Sequence, residues 1–305
     1  MKALLTQIRR EFWEYRSLWI VPLAIAAVML LAAAIFGRIQ LNFGDPGIHY
    51  DGPTPPPLVE LMVLGWAAPF YLAAALQASG YLIDCLYGER RDRSILFWRS
   101  MPVTDARTVL VKLLTGLALV PLGAFAIAAA TSLAGSAILV LRNHDVIVNG
   151  QPVMALWNVL SWLRMQGIVF YGLIAALLWY APLAAYLMLA SVWARRSPLI
   201  WALAPPLLLL ILEHMIFGTN YVGRILGGGF HQLLHLAYRL DGNGAFDAGD
   251  MVRAPNSGGG HDISFTMHLL SPERLLASAR LWVGLLAAAL MVALAIRVRR
   301  YRDES

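Results

Sequence analysis

The sequence predicts an all-α polytopic membrane protein with six transmembrane helices. The first observation behind this is composition. Of 305 residues, 59% are hydrophobic and only 14% are charged, whereas a soluble domain carries roughly 25% charged residues. The second is segmentation. Six apolar runs approach or exceed the roughly 20 residues a helix needs to cross a bilayer: 18–36, 60–83, 113–141, 165–192, 199–217 and 281–296. The third is where the positive charge sits. Sixteen of the 24 Lys and Arg residues lie in the N-terminal stretch, segment 84–112, loop 193–198 and the C-terminal tail. Basic residues favour the cytoplasmic side, so both termini are expected there.

Residues 1–17 come first. Leu5, Ile8, Phe12, Tyr15 and Trp19 recur at steps of three and four, with Lys2, Arg9, Arg10, Glu11, Glu14 and Arg16 between them. That spacing predicts an amphipathic helix with a basic-leaning polar face, suited to the headgroup plane. A cytosolic start to the first span is the plainer reading. The first apolar run is too long for a leader h-region and lacks a small-residue cleavage site, so no cleaved leader is expected.

Residues 18–305 then form the six-span domain. The third and fourth runs are long enough to tilt or protrude. The sixth is short and is expected to begin nearer Leu275. Connection 38–59 holds GDPG and DGPTPPP, which signal turns and extended chain. Connection 142–164 is a short polar excursion, NHDVIVNGQP. The long outer loop, 218–280, has an apolar first half too broken by glycine to span, then a Gly/Asp/Asn-rich middle. Its first half fits a re-entrant or interfacial pair of helices. In the tail, Arg297, Arg299, Arg300 and Arg302 are expected to anchor against anionic lipid. Pro121, Pro182, Pro205 and Pro206 lie inside apolar runs, where proline permits kinks.

Several functions are disfavoured. The net charge of +6 implies no nucleic-acid partner, because the arginines flank apolar segments. The single cysteine, Cys85, forms no intramolecular disulfide and no cysteine-built metal site. Only Lys2 and Lys112 are lysines, and neither follows a GxxxxGK[ST] loop. If ATP drives this protein, another chain hydrolyses it. No HExxH, GxSxG or nucleophile–base pair is present, and no catalytic residue or cofactor is expected in the chain.

Segment 87–112 is the most informative. Glu89, Arg90, Arg91, Asp92 and Arg93 are five consecutive charges, followed by Ile95, Leu96, Phe97, Trp98 and Arg99. Pro102 stops a helix, and Thr104 with Asp105 is placed to cap the next. One reading is a short helix along the membrane surface whose Arg and Trp residues dock into a partner, since these types dominate interface energetics. The other is a positive-inside loop with its aromatics in the headgroup belt. Composition leaves both open.

The stretch ERRDRSILFWRSMPVTDARTVLVK resembles the segment between the second and third spans of ABC-2-type transporter permeases. A Glu-Arg-rich turn, Pro-Val-(Ser/Thr) and a lysine opening the third span correspond here to Glu89, Arg90, Pro102, Val103, Thr104 and Lys112. EFWEYR, residues 11–16, is similar to that family's opening. The layout resembles it over the whole chain, but the motifs cover only a short part. The resemblance implies that 87–112 is a cytoplasmic coupling segment, with Glu89, Arg90, Arg91, Asp92, Arg93, Phe97, Trp98, Arg99 and Pro102 meeting a separate ABC ATPase subunit. ATP and Mg would reside in that subunit. It also implies a second permease copy, the same or similar, and a bacterial cytoplasmic membrane location.

Two further groups are candidates. Glu213 and His214 fall within the fifth apolar run, and an ionisable residue in a span is a functional candidate. Glu213 would face the pathway, or pair with Arg224 or Arg280 near an outer gate, unless the span ends earlier and leaves it at the interface. His231 and His235 stand four apart in HQLLH, with His261 and His268 in the same loop. Two histidines without a third ligand make a weak metal site, so the preferred reading is an interfacial amphipathic helix with no metal.

The leading expectation is the permease subunit of an ATP-driven exporter. An intramembrane enzyme built on Glu213, His214 and the loop histidines is one alternative, and a non-transporting structural membrane subunit is another. The substrate is not legible.

Overall fold

The computed structural model describes residues 2–37, 58–92, 104–145, 147–148, 151–152, 154, 157–194, 196–219, 223, 228–238 and 270–302. Nearly all of them are helical. The helices are α1 (Lys2–Glu14), α2 (Ser17–Phe36), α3 (Leu58–Arg91), α4 (Asp105–Leu114), α5 (Val120–Arg142), α6 (Val159–Trp193), α7 (Pro198–Phe217), α8 (Gly229–Ala237), α9 (Pro272–Ala277) and α10 (Ala279–Arg302). Six helical stretches are long and apolar enough to cross a membrane, with α4 and α5 forming one of them. A multi-pass membrane protein follows from that count.

The expected spans are all present, but their ends move. α3 runs on past Ile83 to Arg91, α6 starts at Val159, and α10 continues to Arg302. The extensions of α3 and α10 are rich in charge, and Asp84, Glu89, Arg90 and Arg299 in them find partners described below; that of α6 is mostly apolar, with Val159, Leu160 and Leu163 exposed. Leu275 is not the start of the last span. It lies in the short α9, which Ser278 separates from α10. The polar excursion between α5 and α6 holds a two-residue antiparallel hairpin, Ile147–Val148 against Gln151–Pro152.

α4 joins α5 through a π-helical segment, Thr115–Leu119. Pro121 explains it. A proline has no N–H and its ring crowds the carbonyl four residues earlier, and widening the helix before it relieves both. The widened turn is seated closely, because a Cβ on Gly116 would lie 2.7 Å from Leu82 Cγ. Pro182, Pro205 and Pro206 lie within continuous helices.

α6 is the centre of the bundle, packed by α10 and α3, while α5 and then α2 flank α3. One core joins Tyr81, Leu82, Cys85 and Leu86 of α3 to Val109, Met188, Val192 and Ala295. Polar side chains bind the helices laterally. Ser132 Oγ accepts from Trp162 Nε1 and Gln166 Nε2, both at 3.1 Å. α7 is the exception. Most of its side chains, including Leu199, Leu203, Leu207 and Ile211, are exposed, as a lipid-facing helix would be.

α8 lies against the middle of α6. Leu233 and Ala237 pack with Ala175, Leu275 and Leu281. Ser271 fastens its end, the backbone N–H donating to Ala237 O at 2.9 Å and the hydroxyl to Leu236 O at 3.0 Å.

Candidate functional site

The site forms where both termini meet the ends of α3 and α4. α4 starts one residue after Thr104, and it carries Lys112 one turn inside an apolar stretch. A lysine there needs carboxylates, because an unpaired buried charge is very costly. Its neighbours supply two. Lys112 Nζ lies 2.9 Å from Glu11 Oε1 of α1 and 3.2 Å from Glu89 Oε1 of α3. Glu89 Oε2 is in turn 2.9 Å from an Arg299 guanidinium nitrogen of α10. Arg299 Nε reaches Asp105 Oδ1 at 3.3 Å.

The cluster is dry. Lys112 is 0% exposed, Glu89 3%, Glu11 4% and Arg299 5%. Three carboxylates face two cations, and the surplus is moderated twice. Tyr81 donates its hydroxyl to Glu11 Oε2 at 2.7 Å, and Asp105 sits at the half-buried edge. Tyr15 extends the network by donating to Asp84 Oδ2 at 3.4 Å, and burial raises the Tyr15 phenol well above its usual range. Glu14, on the rim, has its carboxyl raised first by desolvation.

A second junction adjoins the first. Ser191 Oγ of α6 accepts from the backbone N–H groups of Leu86 and Tyr87 at 3.2 and 3.0 Å. Arg90 donates to the carbonyls of Ser191 and Ala194, at 2.6 and 3.0 Å, capping the end of α6. Tyr87 donates its hydroxyl to Arg196 O at 2.5 Å. The end of α3 is thus fixed to four other helices: α1, α4, α6 and α10.

The residues expected to meet a partner divide sharply. Glu89 is buried in the ion cluster and Arg90 is turned onto α6, so both serve inside the chain. Arg91 and Asp92 are exposed and pair with each other, Arg91 Nε to Asp92 Oδ1 at 3.1 Å. Arg93, Phe97, Trp98, Arg99 and Pro102 lie outside the described residues. Thr104 precedes α4 as expected but makes no side-chain cap bond; its carbonyl accepts from Arg107 and Thr108 instead. Asp105, the other expected cap, binds Arg299.

One expectation is corrected. The expectation makes lipid anchors of Arg297, Arg299, Arg300 and Arg302, yet Arg297 and Arg300 are exposed while Arg299 turns inward. Glu89 and Asp105 explain the difference: the buried Glu89 carboxylate and the half-buried Asp105 carboxylate need a cation beside them, and Arg299 is placed to supply it. Lys112, Glu11 and Arg299 were missed as a unit. The available signal was Lys112 itself, an ionisable residue within an apolar run.

The other candidates lie away from this cluster. Glu213 occupies the last turn of α7 and accepts from Thr219 Oγ1 at 2.9 Å, beyond the left-handed Gly218 that ends the helix at φ 61°. His214 is exposed. Arg280 lies over the Trp179 ring, 5.4 Å from its centroid, and Arg224 is outside the described residues. His231 and His235 do meet, with 3.1 Å between their Nε2 atoms. Among the described residues, no three His, Cys, Asp or Glu side chains are placed to hold a metal ion together.

Compared with protein-family models, curated proteins and solved structures, the chain matches none.

Proposed function

We propose that this chain is the membrane permease subunit of an ATP-driven exporter. The observation that carries the proposal is the buried cluster Glu11–Lys112–Glu89–Arg299. It ties both terminal helices to the two helix ends that flank segment 93–103. A membrane protein moved from outside needs a place to be pushed and a rigid base to carry the push. Segment 93–103, with Phe97, Trp98 and Arg99, suits the first role. The ion cluster suits the second, because a buried network of paired charges rigidifies the helices that carry it.

In this reading a separate ABC ATPase, holding ATP and Mg, docks at 93–103 with Arg91 and Asp92 at its margin. Closure of the ATPase tilts the second and third spans, and a second permease copy completes the pathway. Both termini are cytoplasmic by the distribution of Lys and Arg. α1 lies at the membrane surface, segment 93–103 includes the coupling helix, and α8 is the interfacial or re-entrant element of the outer loop.

The test is affinity capture of the intact chain from its native membrane. An ATP-binding-cassette ATPase should co-purify, and ATP hydrolysis by the reconstituted complex should respond to the permease. Trp98→Ala and Arg91→Ala should leave the membrane part folded but uncouple hydrolysis from transport. Full partner affinity and full transport in both variants would refute the coupling assignment. Capture of no ATPase would leave the structural-subunit reading in its place.

A further inference from the structure

The His231–His235 pair belongs to neither the ion cluster nor the proposed coupling. Both side chains project from the face of α8 opposite Leu233 and Ala237, which are buried. His231 is exposed and His235 half-buried. Four-residue spacing places them one turn apart, and the rings meet with centroids 4.3 Å apart.

The Nε2 separation of 3.1 Å suits two states. One is a neutral pair sharing a single N–H···N hydrogen bond. The other is a metal ion held by both nitrogens. With Zn–N bonds of about 2.0–2.1 Å, cis ligands at a right angle sit about 2.9 Å apart and tetrahedral ligands about 3.4 Å apart. The observed spacing falls between them, so neither ring must swing far to bind. The helix is also held still. Ser271 bonds the carbonyls of Leu236 and Ala237, and Tyr238 just beyond donates to Ile168 O at 3.1 Å.

We infer that His231 and His235 form a two-point chelate for a divalent transition metal of the class imidazole prefers, zinc, nickel or copper, on α8 where it packs against the middle of α6 and the start of α10. Both rings bind through Nε2 as neutral imidazoles, each keeping its proton on Nδ1. The hydrogen-bonded state therefore changes tautomer on loading and releases no net proton. Two ligands leave coordination positions open, which water or a metal-borne ligand would fill. This inference does not depend on the exporter reading.

The experiment uses the full chain, purified without a histidine tag and placed in lipid nanodiscs. Equilibrium dialysis against Zn²⁺ should show one bound ion. His231→Ala and His235→Ala should each weaken binding at least about tenfold, the lower bound even for loss of an outer-shell partner. His214→Ala should leave binding unchanged. Saturating Zn²⁺ should raise the unfolding temperature of the unsubstituted chain and not of the two variants. Cu²⁺ loading should give an electron paramagnetic resonance spectrum with splitting from two nitrogens. Unfolding temperatures matched without metal show that the variants fold. No Zn²⁺ binding, or unchanged binding in either His231→Ala or His235→Ala, overturns the site.

Discussion

Arg299, near the end of the last helix, holds Glu89, at the end of the second span, through a 2.9 Å ion pair between two buried side chains. Removing one partner of such a pair leaves an uncompensated charge, at a cost of about 3–5 kcal/mol. Arg299→Ala should therefore lower the unfolding temperature sharply in nanodiscs. Arg297→Ala and Arg300→Ala remove exposed charges and should change stability by less than about 0.5 kcal/mol. Equal effects from all three would mean that the tail binds only lipid.

Lys112→Met should be as damaging, for a different reason. It leaves Glu11 and Glu89, which Lys112 contacts at 2.9 and 3.2 Å, as two buried carboxylates without the cation between them. Stability should return in part when Glu11→Gln is added, because an apolar or neutral replacement of a whole buried charge set is often tolerated. Thermal unfolding of the single and double variants gives the coupling. A double variant less stable than Lys112→Met would contradict the pairing.

The six spans were legible because lipid imposes length and hydropathy on every crossing segment. Their ends were not. The turn from Tyr87 to Arg91 carries four polar or charged residues in five positions, and hydropathy reads it as a loop. It is helical because Glu89 meets Lys112 and Arg299 while Arg90 meets Ser191 and Ala194. Those partners are distant in sequence, so local pattern holds no trace of them. Arg299 was misread for the same reason: among four arginines in six residues, periodicity could not say which faces inward. The π-helical turn before Pro121 also escaped, although proline in a run marks a distortion.

The Ser191 junction predicts a more local effect. Its hydroxyl is fully buried and accepts from two backbone N–H groups of α3. Ser191→Ala removes that acceptor and should cost about 0.5–1.5 kcal/mol, the range for losing a hydrogen bond whose donors keep their helical carbonyls. Hydrogen exchange should quicken at the end of α3 around Leu86 and Tyr87 while mid-span amides such as Phe70 keep their protection. Uniform quickening throughout the helix would argue that the junction is not local.

Nearer its other end α3 meets α5, and there packing alone decides the fit. Trp66 of α3 lies against Gly135 of α5 so closely that an added Cβ would overlap its indole ring. Small residues allow this approach between membrane helices, where dispersion rather than the hydrophobic effect drives association. Gly135→Ala should therefore destabilise by about 1–3 kcal/mol through overpacking. The loss should shrink when Trp66→Phe supplies room, although Trp66→Phe alone loses contacts and should itself destabilise. A double-mutant cycle by thermal unfolding checks this. A coupling of zero would mean that α3 and α5 separate at this point in the membrane.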